Sequence, residues 1–332
     1  FWKPDQKDWK GFPITGYRGW IFQSENGKER FPERGVGLTP DIDSKFADAA
    51  IEVIDQTANQ RPWFLHVNFT APHDPLFVPP GLEGKYDAEK LTLPPNFAKR
   101  HPFDHGNIDG RDEELMSFPR TPAQTKDVLR VYYAVIDYLD QQIGRILDRL
   151  EESGQADNTI VIFASDHGMA VGSHGLRGKQ NMYEHTINTP LIIAGPGIEP
   201  NSRTAAQVYL RELYPTTCDL AGIPVPESVT APSFAPVLRG ESDEHHEAIF
   251  GYFRDTQIMI RKDNWKLIQY PQVGETQLFD LANDPHELND LAESPALEER
   301  LKSLNAELSA WHQLKDSRGN ESTKPSPSAS DR

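Results

Sequence analysis

The sequence contains a single cysteine, Cys218, among its 332 residues. One cysteine cannot form an intrachain disulfide, so the chain has no disulfide framework. No apolar run approaches the ~18 residues that a membrane-spanning helix needs, and no signal peptide opens the chain. Basic residues are also few, 34 against 50 acidic ones, which gives a net charge of −16. This imbalance argues against non-specific binding to nucleic acid or to an anionic membrane.

The order of the predicted elements indicates an α/β fold with a second, smaller part. Residues 1–240 combine an irregular start and a long proline-bearing loop with predicted helices and strands, and we interpret them as a partial, N-terminally truncated α/β core with a doubly wound, mostly parallel sheet. Residues 241–314 hold closely spaced short strands and a terminal helix, and they predict a small antiparallel subdomain. Residues 315–332 are polar and rich in Ser and Pro, which predicts a disordered tail.

The segment from Thr159 to Lys179 carries the clearest functional signal. Its apolar run, residues 160–164, lacks polar alternation, as expected of a strand covered on both faces. The run ends in Ser165-Asp166-His167-Gly168, and ligands of open α/β sheets collect beyond the carboxyl ends of strands. A carboxylate, an imidazole and the Lys179 ammonium delivered from one loop can hold a cation and an oxyanion side by side.

A second polar loop follows a second predicted strand. Residues 63–69 read as a strand and break at Ala71-Pro72-His73. From Thr121 onward, helical spacing of apolar residues predicts one long amphipathic helix that ends near Gly154 and leads into the Asp166 strand.

These loops together resemble the sulfatase family of the alkaline-phosphatase-like superfamily. The resemblance covers residues 35 to about 314 and is carried by Ala71-Pro72-His73, Ser165-Asp166-His167-Gly168, Gly178-Lys179, Tyr183-Glu184-His185, Leu213-Tyr214-Pro215-Thr216 and Trp265-Lys266-Leu267-Ile268. It implies a sulfuric ester hydrolase that acts on sulfated small molecules or glycans. Export to the periplasm or secretion is common among relatives.

The resemblance also implies roles for individual residues. Asp166 would ligate a divalent cation, usually calcium in this family, with His167 beside it. Because calcium prefers oxygen ligands, His167 leaves the identity of the metal open. His73 would lie on the leaving-group side of the ester, and Lys179 would clamp its charge. Further possible substrate contacts are His101, His174, Arg177 and His185, with Arg111 and Arg120 as possible selectivity residues.

Each of these residues also has a structural interpretation. Asp166 could cap a turn, Lys179 could be a surface lysine, and His174 and His185 could hold their loop by hydrogen bonds. The three loops are expected to converge on one ester only if the functional interpretation is correct.

The sequence departs from the family pattern at the nucleophile. Sulfatases of this family carry C-x-P-x-R or S-x-P-x-R, whose first residue becomes formylglycine, and this chain has neither; its Ser117-Phe118-Pro119-Arg120 has the wrong spacing. Since the chain starts at Phe1, we expect a missing N-terminal segment to supply the nucleophile, and the isolated chain to be inactive. Two alternatives remain: a phosphoester or phosphonate-ester hydrolase of the same superfamily, or a non-catalytic remnant or partner subunit.

Overall fold

The computed structural model describes residues 21–23, 30–36, 40–57, 61–110 and 112–322. The chain divides into two compact units. Unit 1 comprises Phe1–Leu93 and Thr121–Val161, and unit 2 comprises Pro94–Arg120 and Ile162–Arg332.

Unit 1 contains a two-stranded antiparallel sheet and two helices. The sheet pairs β1 (Ile21–Gln23) with β2 (Arg30–Val36). Helix α1 (Ile42–Thr57) packs against α2 (Pro122–Glu152). Its buried apolar side chains are Ile42, Ala47, Ala50 and Ile54.

The start of α2 follows from its sequence. The Thr121 hydroxyl accepts the backbone N–H of Gln124, the Gln124 side chain accepts the backbone N–H of Thr121, and Pro122 occupies the first turn. The apolar stripe predicted for this helix is buried only in part, since Ile136 and Leu147 are 38% and 41% exposed. The stripe is wider than the face that α1 covers.

The strand predicted over residues 63–69 is not observed. These residues belong to none of the sheets in the part of the chain that the structure describes. Exposed Phe64, His66 and Asn68 alternate with half-buried neighbours, which is the pattern of an extended chain. The sequence pattern reports the extended backbone correctly, but a strand also needs a hydrogen-bonded neighbour.

In unit 2, β3 (Val161–Ala164), which begins at the boundary of the unit, pairs with β4 (Leu191–Ala194) in a two-stranded sheet. The predicted coverage of both faces is incomplete, because Phe163 is 37% and Ile192 is 62% exposed. Three short helices follow along the chain: α3 (Glu184–Ile187), α4 (Leu213–Leu220) and α5 (Ala235–Leu238).

A four-stranded antiparallel sheet forms the C-terminal part of unit 2. Its strands, paired in sequence order, are β5 (Ala248–Phe253), β6 (Gln257–Lys262), β7 (Trp265–Tyr270) and β8 (Glu275–Asp280). The terminal helix α6 (Glu298–Ser322) places Leu304 and Leu308 against Ile260, Leu267 and Leu278 on one face. The small antiparallel sheet and its terminal helix confirm the C-terminal part of the predicted fold.

The other face of this sheet has its own core. Met259, Ile268 and Phe279 pack there against Leu176 and Tyr183, which belong to the loop region after β3. Alternation along the strands therefore builds two cores, one under α6 and one under the candidate site loop.

The terminal helix extends further than the sequence predicted. Helix α6 runs to Ser322, eight residues beyond the predicted end at Leu314, and the rest of the predicted tail, residues 323–332, lies outside the described residues.

Among the described helices, none combines the length and apolarity needed to cross a membrane.

The packing of α6 predicts an unequal cost for two leucine truncations. Leu308 is fully buried against the sheet, whereas Leu314 is 59% exposed. We expect Leu308→Ala to lower the free energy of unfolding by about 2–5 kcal/mol through lost contacts and a cavity, and Leu314→Ala to change it by less than ~0.5 kcal/mol. Equilibrium guanidinium denaturation measures both, and equal losses would contradict the observed packing.

Candidate active site

The loop after β3 presents Asp166 and His167 at the end of the strand. The carboxylate of Asp166 accepts the backbone N–H of His167 at 2.9 Å, and its second oxygen lies 3.4 Å from His167 Nε2. The Asp166 side chain is 77% exposed and that of His167 is 34% exposed. The loop therefore offers an accessible carboxylate and imidazole to a ligand.

Gly168 fixes the backbone behind these two side chains. Its N–H donates to the Thr186 carbonyl at 2.8 Å, and a Cβ at this position would lie 2.0 Å from the His185 carbonyl oxygen. A side chain cannot be accommodated, which explains a glycine immediately after Asp166-His167.

A backbone turn brings the chain at Lys179 back towards this loop. The N–H of Ala170 donates to Gly178 O at 3.0 Å, and that of Gly172 donates to Leu176 O at 2.7 Å. The chain thus folds back on itself between residues 170 and 178, and Lys179 emerges opposite the residues that follow His167. Its Nζ lies 3.6 Å from the buried Asp112 carboxylate, and its side chain is 15% exposed.

A buried carboxylate that the sequence did not reveal organises this turn. Glu113 accepts the backbone N–H groups of Arg177 at 2.8 Å and Gly178 at 2.7 Å, and it forms an ion pair with fully buried Arg120. The Arg120 Nε also donates to Gly175 O at 3.2 Å. Arg120 therefore supports the turn from inside the protein, and a role in selectivity stays a prediction.

A second buried ion holds the chain just after Lys179. Lys266 of β7 has no exposed side-chain surface, and its Nζ contacts Glu184 at 2.6 Å, Glu287 at 2.7 Å and the Met182 carbonyl at 3.2 Å. Glu287 also accepts the backbone N–H of Glu184 at 2.8 Å. Burial raises the pKa of Glu287, and the nearby Lys266 ammonium opposes that rise.

The four further substrate contacts predicted from the sequence occupy interior positions. His101 is 2% exposed and its ring bonds the Tyr183 hydroxyl at 2.8 Å, while His174 stacks on the Tyr183 ring with centroids 3.8 Å apart. Arg177 is 2% exposed and its Nη1 lies 2.7 Å from Met169 Sδ. These positions are typical of residues that pack in the interior or support a loop. Contact with substrate stays a prediction. Arg111 lies outside the described residues.

His185 differs from the other three. Its ring lines a cavity of about 270 Å³ together with Asn96, Ser173 and Glu287. Both ring nitrogens are buried without a hydrogen-bond partner in the described part of the chain. Burial holds the pKa of His185 well below its usual value, so the ring is neutral.

His73 belongs to unit 1. Its backbone N–H donates to Thr70 O at 2.9 Å, and its Nδ1 lies 2.6 Å from the Asp74 carbonyl oxygen. The ring borders a small cavity that Asp43 also lines, and burial raises the pKa of the Asp43 carboxyl against hydrogen bonds from Ala71 and Thr70. Asp166 and Lys179 belong to unit 2, so convergence of the three loops stays a prediction.

The donor atoms of Asp166 and His167 do not complete a calcium shell. Calcium takes about 6–8 oxygen ligands, and this pair supplies one carboxylate and one imidazole. No third carboxylate, histidine or cysteine joins them as a possible ligand group in the described residues. Calcium binding at this position would therefore need further oxygen ligands.

The Glu113 arrangement predicts a strong effect of one substitution. Glu113→Ala would leave Arg120 buried without its counter-ion and two backbone N–H groups without their acceptor. We expect the free energy of unfolding to fall by about 3–5 kcal/mol. The neighbouring carboxylate offers a matched control, since Glu114 is exposed and Glu114→Ala should cost less than ~0.5 kcal/mol. Equal denaturation midpoints for the two variants would contradict this role.

The buried histidines predict a loss of stability in acid. Burial lowers the pKa of His105 to about 4 and that of His174 to about 3, against ~6.5 in the unfolded chain. Below pH ~6.5 the unfolded chain therefore binds protons that the folded chain excludes, and stability falls as the pH falls towards ~4, by up to roughly 1.4 kcal/mol per pH unit for each histidine. Denaturant titrations at pH 7, 6 and 5 measure the slope. His105→Gln should reduce it, exposed His66→Gln should not, and identical slopes would exclude the mechanism.

Two family models match this chain. The family model described as "Sulfatase" matches residues 3–223, and the model described as "N-sulphoglucosamine sulphohydrolase, C-terminal" matches residues 172–314. A choline-sulfatase of Rhizobium meliloti (strain 1021) is 34% identical over 246 residues, covering 71% of this chain and 48% of the relative. Arylsulfatase K of Bos taurus is 29% identical over 300 residues, covering 79% of this chain and 55% of the relative.

Solved structures share the fold. A phosphonate monoester hydrolase from Silicibacter pomeroyi superposes with a TM-score of 0.70 at 23% identity, covering 92% of this chain and 67% of that chain. A protein solved with its substrate D-glucosamine-2-N, 6-O-disulfate gives a TM-score of 0.69 at 23% identity, covering 85% of this chain and 71% of that chain.

The present chain spans about half the length of the curated relatives it matches, with 48% of the choline-sulfatase and 55% of the bovine arylsulfatase K covered. The sulfatase model nevertheless matches most of this chain, and the choline-sulfatase exceeds 30% identity over more than two thirds of it. The family resemblance noted in the sequence is thereby confirmed, and the chain belongs to the sulfatase family, which implies a divalent metal site.

Proposed function

We propose that this chain forms part of a sulfuric ester hydrolase. The observation that carries the proposal is the folded-back loop of unit 2, in which the Ala170–Gly178 hydrogen bond returns Lys179 towards Asp166-His167. We infer that this loop brings a carboxylate, an imidazole and an ammonium to one site, the groups needed beside a sulfate ester and a cation. Membership of the sulfatase family supports the same activity.

Asp166 is the proposed protein ligand of a calcium ion, with His167 beside it. The high exposure of Asp166 suits a ligand whose coordination shell is completed by other groups. When bound, the ion would neutralise charge on the sulfate oxygens. Within this chain, the hydrogen bond from the His167 N–H holds one Asp166 oxygen and leaves the other available.

Lys179 is the proposed electrostatic clamp on the sulfate group. Its ammonium is mostly shielded from water, and Asp112 and the turn held by Glu113 restrict its position. A charge fixed in advance stabilises the developing negative charge better than a freely moving surface lysine. His73 is the proposed group on the leaving-group side, where an imidazole can protonate the departing alkoxide.

The nucleophile of the proposed reaction is formylglycine from a segment that this chain does not contain. Its hydrate would attack sulfur, the ester oxygen would depart with a proton, and sulfate would then be eliminated. The absence of C-x-P-x-R and S-x-P-x-R from this sequence and the partial coverage of the relatives support a nucleophile contributed from elsewhere.

Sulfated carbohydrates are the proposed substrate class. Residues 172–314 match the C-terminal model of N-sulphoglucosamine sulphohydrolase, and a structural neighbour was solved with a disulfated glucosamine. A second candidate is a phosphonate or phosphate monoester hydrolase, which the Silicibacter pomeroyi neighbour favours. The same cation and imidazole arrangement would suit phosphorus.

Activity assays on the longer protein that contains this chain test the proposal. We expect hydrolysis of an aryl sulfate and of a sulfated glucosamine to exceed that of matched phosphate and phosphonate esters, and residues 1–332 alone to be inactive. Lys179→Ala should lower kcat by about 100-fold or more, as expected for loss of an oxyanion donor. Asp166→Ala should abolish both activity and its dependence on calcium.

Exposed Lys99 provides the matched control, since Lys99→Ala removes the same charge outside the proposed site. Preference for phosphonate or phosphate esters would establish the second candidate instead. Inactivity of the longer protein towards every ester, or full turnover by Lys179→Ala with only a change in melting temperature, would overturn the proposal.

A further inference from the structure

A cluster of three possible metal ligands lies in unit 2 apart from the residues assigned to the ester site. Glu212 ends a short 3-10 turn directly before α4, and His245 with His246 precede β5 by one residue. One ligand atom from each of the three residues lies within 4.8 Å of the others. The cluster therefore joins two segments that are distant in sequence.

The Glu212 carboxylate is buried with little positive charge around it. Its side chain has no exposed surface, and its oxygens lie 2.6 Å from His246 Nε2 and 3.2 Å from His245 Nε2. In the described part of the chain, no lysine or arginine nitrogen lies within 4.0 Å of it. The same carboxylate accepts the backbone N–H of Tyr209 at 2.8 Å, and a nearby cation stabilises a buried carboxylate further.

Two neighbouring polar atoms lack partners. His245 Nε2 is buried and, although close to Glu212, forms no hydrogen bond in the described structure. The side-chain oxygen of Gln207 is also buried without a partner. Gln207 pairs with His246 in an isolated antiparallel bridge, and directly paired residues place their side chains on the same side of the backbone.

We propose that Glu212, His245 and His246 bind one transition-metal ion of the Zn²⁺ type, with Gln207 as a candidate fourth ligand. Imidazole nitrogens together with a carboxylate suit zinc, whereas calcium favours oxygen ligands. Ligands on a tetrahedral zinc ion lie about 3.4 Å apart, so the observed spacings need only small adjustments. The ion would place a positive charge beside the Glu212 carboxylate and give the buried Nε2 of His245 a partner.

The proposed role is structural. Glu212 is the N-cap residue of α4, and the two histidines lead into β5 of the four-stranded sheet. A hydrogen bond of 2.7 Å from the Phe250 N–H to the Tyr209 hydroxyl already links these segments. A metal bridge would fix the same junction more firmly, because binding free energy that depends on the folded arrangement adds to folding stability.

Zinc binding to the metal-stripped chain tests this proposal without any activity measurement. With zinc chloride as the probe at pH 7, we expect calorimetry to show one tightly bound equivalent and the melting temperature to rise with zinc concentration. His245→Ala and His246→Ala should each weaken this site at least about 10-fold, and the double variant should lose it. The variants keep Glu212, so their folding can be verified by circular dichroism.

Two controls separate this site from others. His66→Asn removes an exposed histidine of unit 1, and Asp166→Ala removes the proposed calcium ligand; each should retain the zinc equivalent. Absence of stoichiometric zinc binding in the unsubstituted chain would overturn the proposal. So would unchanged zinc affinity in the folded double variant, or loss of the equivalent in Asp166→Ala alone.

Discussion

The buried ammonium of Lys266 is the interaction on which the arrangement of unit 2 most depends. It rises from β7 and contacts Glu184 and Glu287, one from the chain after Lys179 and one from the chain after β8. A fully buried charge is tolerated only with such partners, because removal of one partner leaves an uncompensated ion in the interior. The sheet, the loop at residues 182–184 and the segment at residue 287 are therefore constrained together.

Glu113 is a second buried charge, of opposite sign, and it constrains the backbone immediately before Lys179. Its buried carboxylate holds the Arg177 and Gly178 N–H groups and pairs with Arg120. The lysine is thus flanked along the chain by two buried ion networks. Its position is set by buried groups, whereas Asp166, just after the end of β3, is highly exposed. Accessible polar groups on a rigid support are the usual arrangement of binding loops.

The periodic spacing of apolar residues in the sequence predicted the C-terminal strands and the terminal helix. The four C-terminal strands and the Leu304 and Leu308 face of α6 follow from alternation and helical spacing. The extended segment at residues 63–69 shows the limit of prediction from local sequence. The periodicity of apolar residues does not reveal whether a neighbouring strand is present to pair with them. The Glu113–Arg120 and Lys266–Glu287 pairs were also missed, because a charged residue carries no local sign that it will be buried. The burial of His101, which is 2% exposed, also has no local sign in the sequence.

The two proposed cation sites of this chain differ in the atoms that they offer as ligands. Asp166 offers an exposed oxygen, which suits a hard ion that retains water and accepts further ligands. Glu212, His245 and His246 offer two nitrogens beside a carboxylate without solvent exposure, which favours a borderline ion that sheds most of its water. Calcium and zinc would therefore compete little for these positions. The exposed site can exchange its ligands during a reaction, whereas the buried one can stabilise the junction between α4 and β5 without taking part in it.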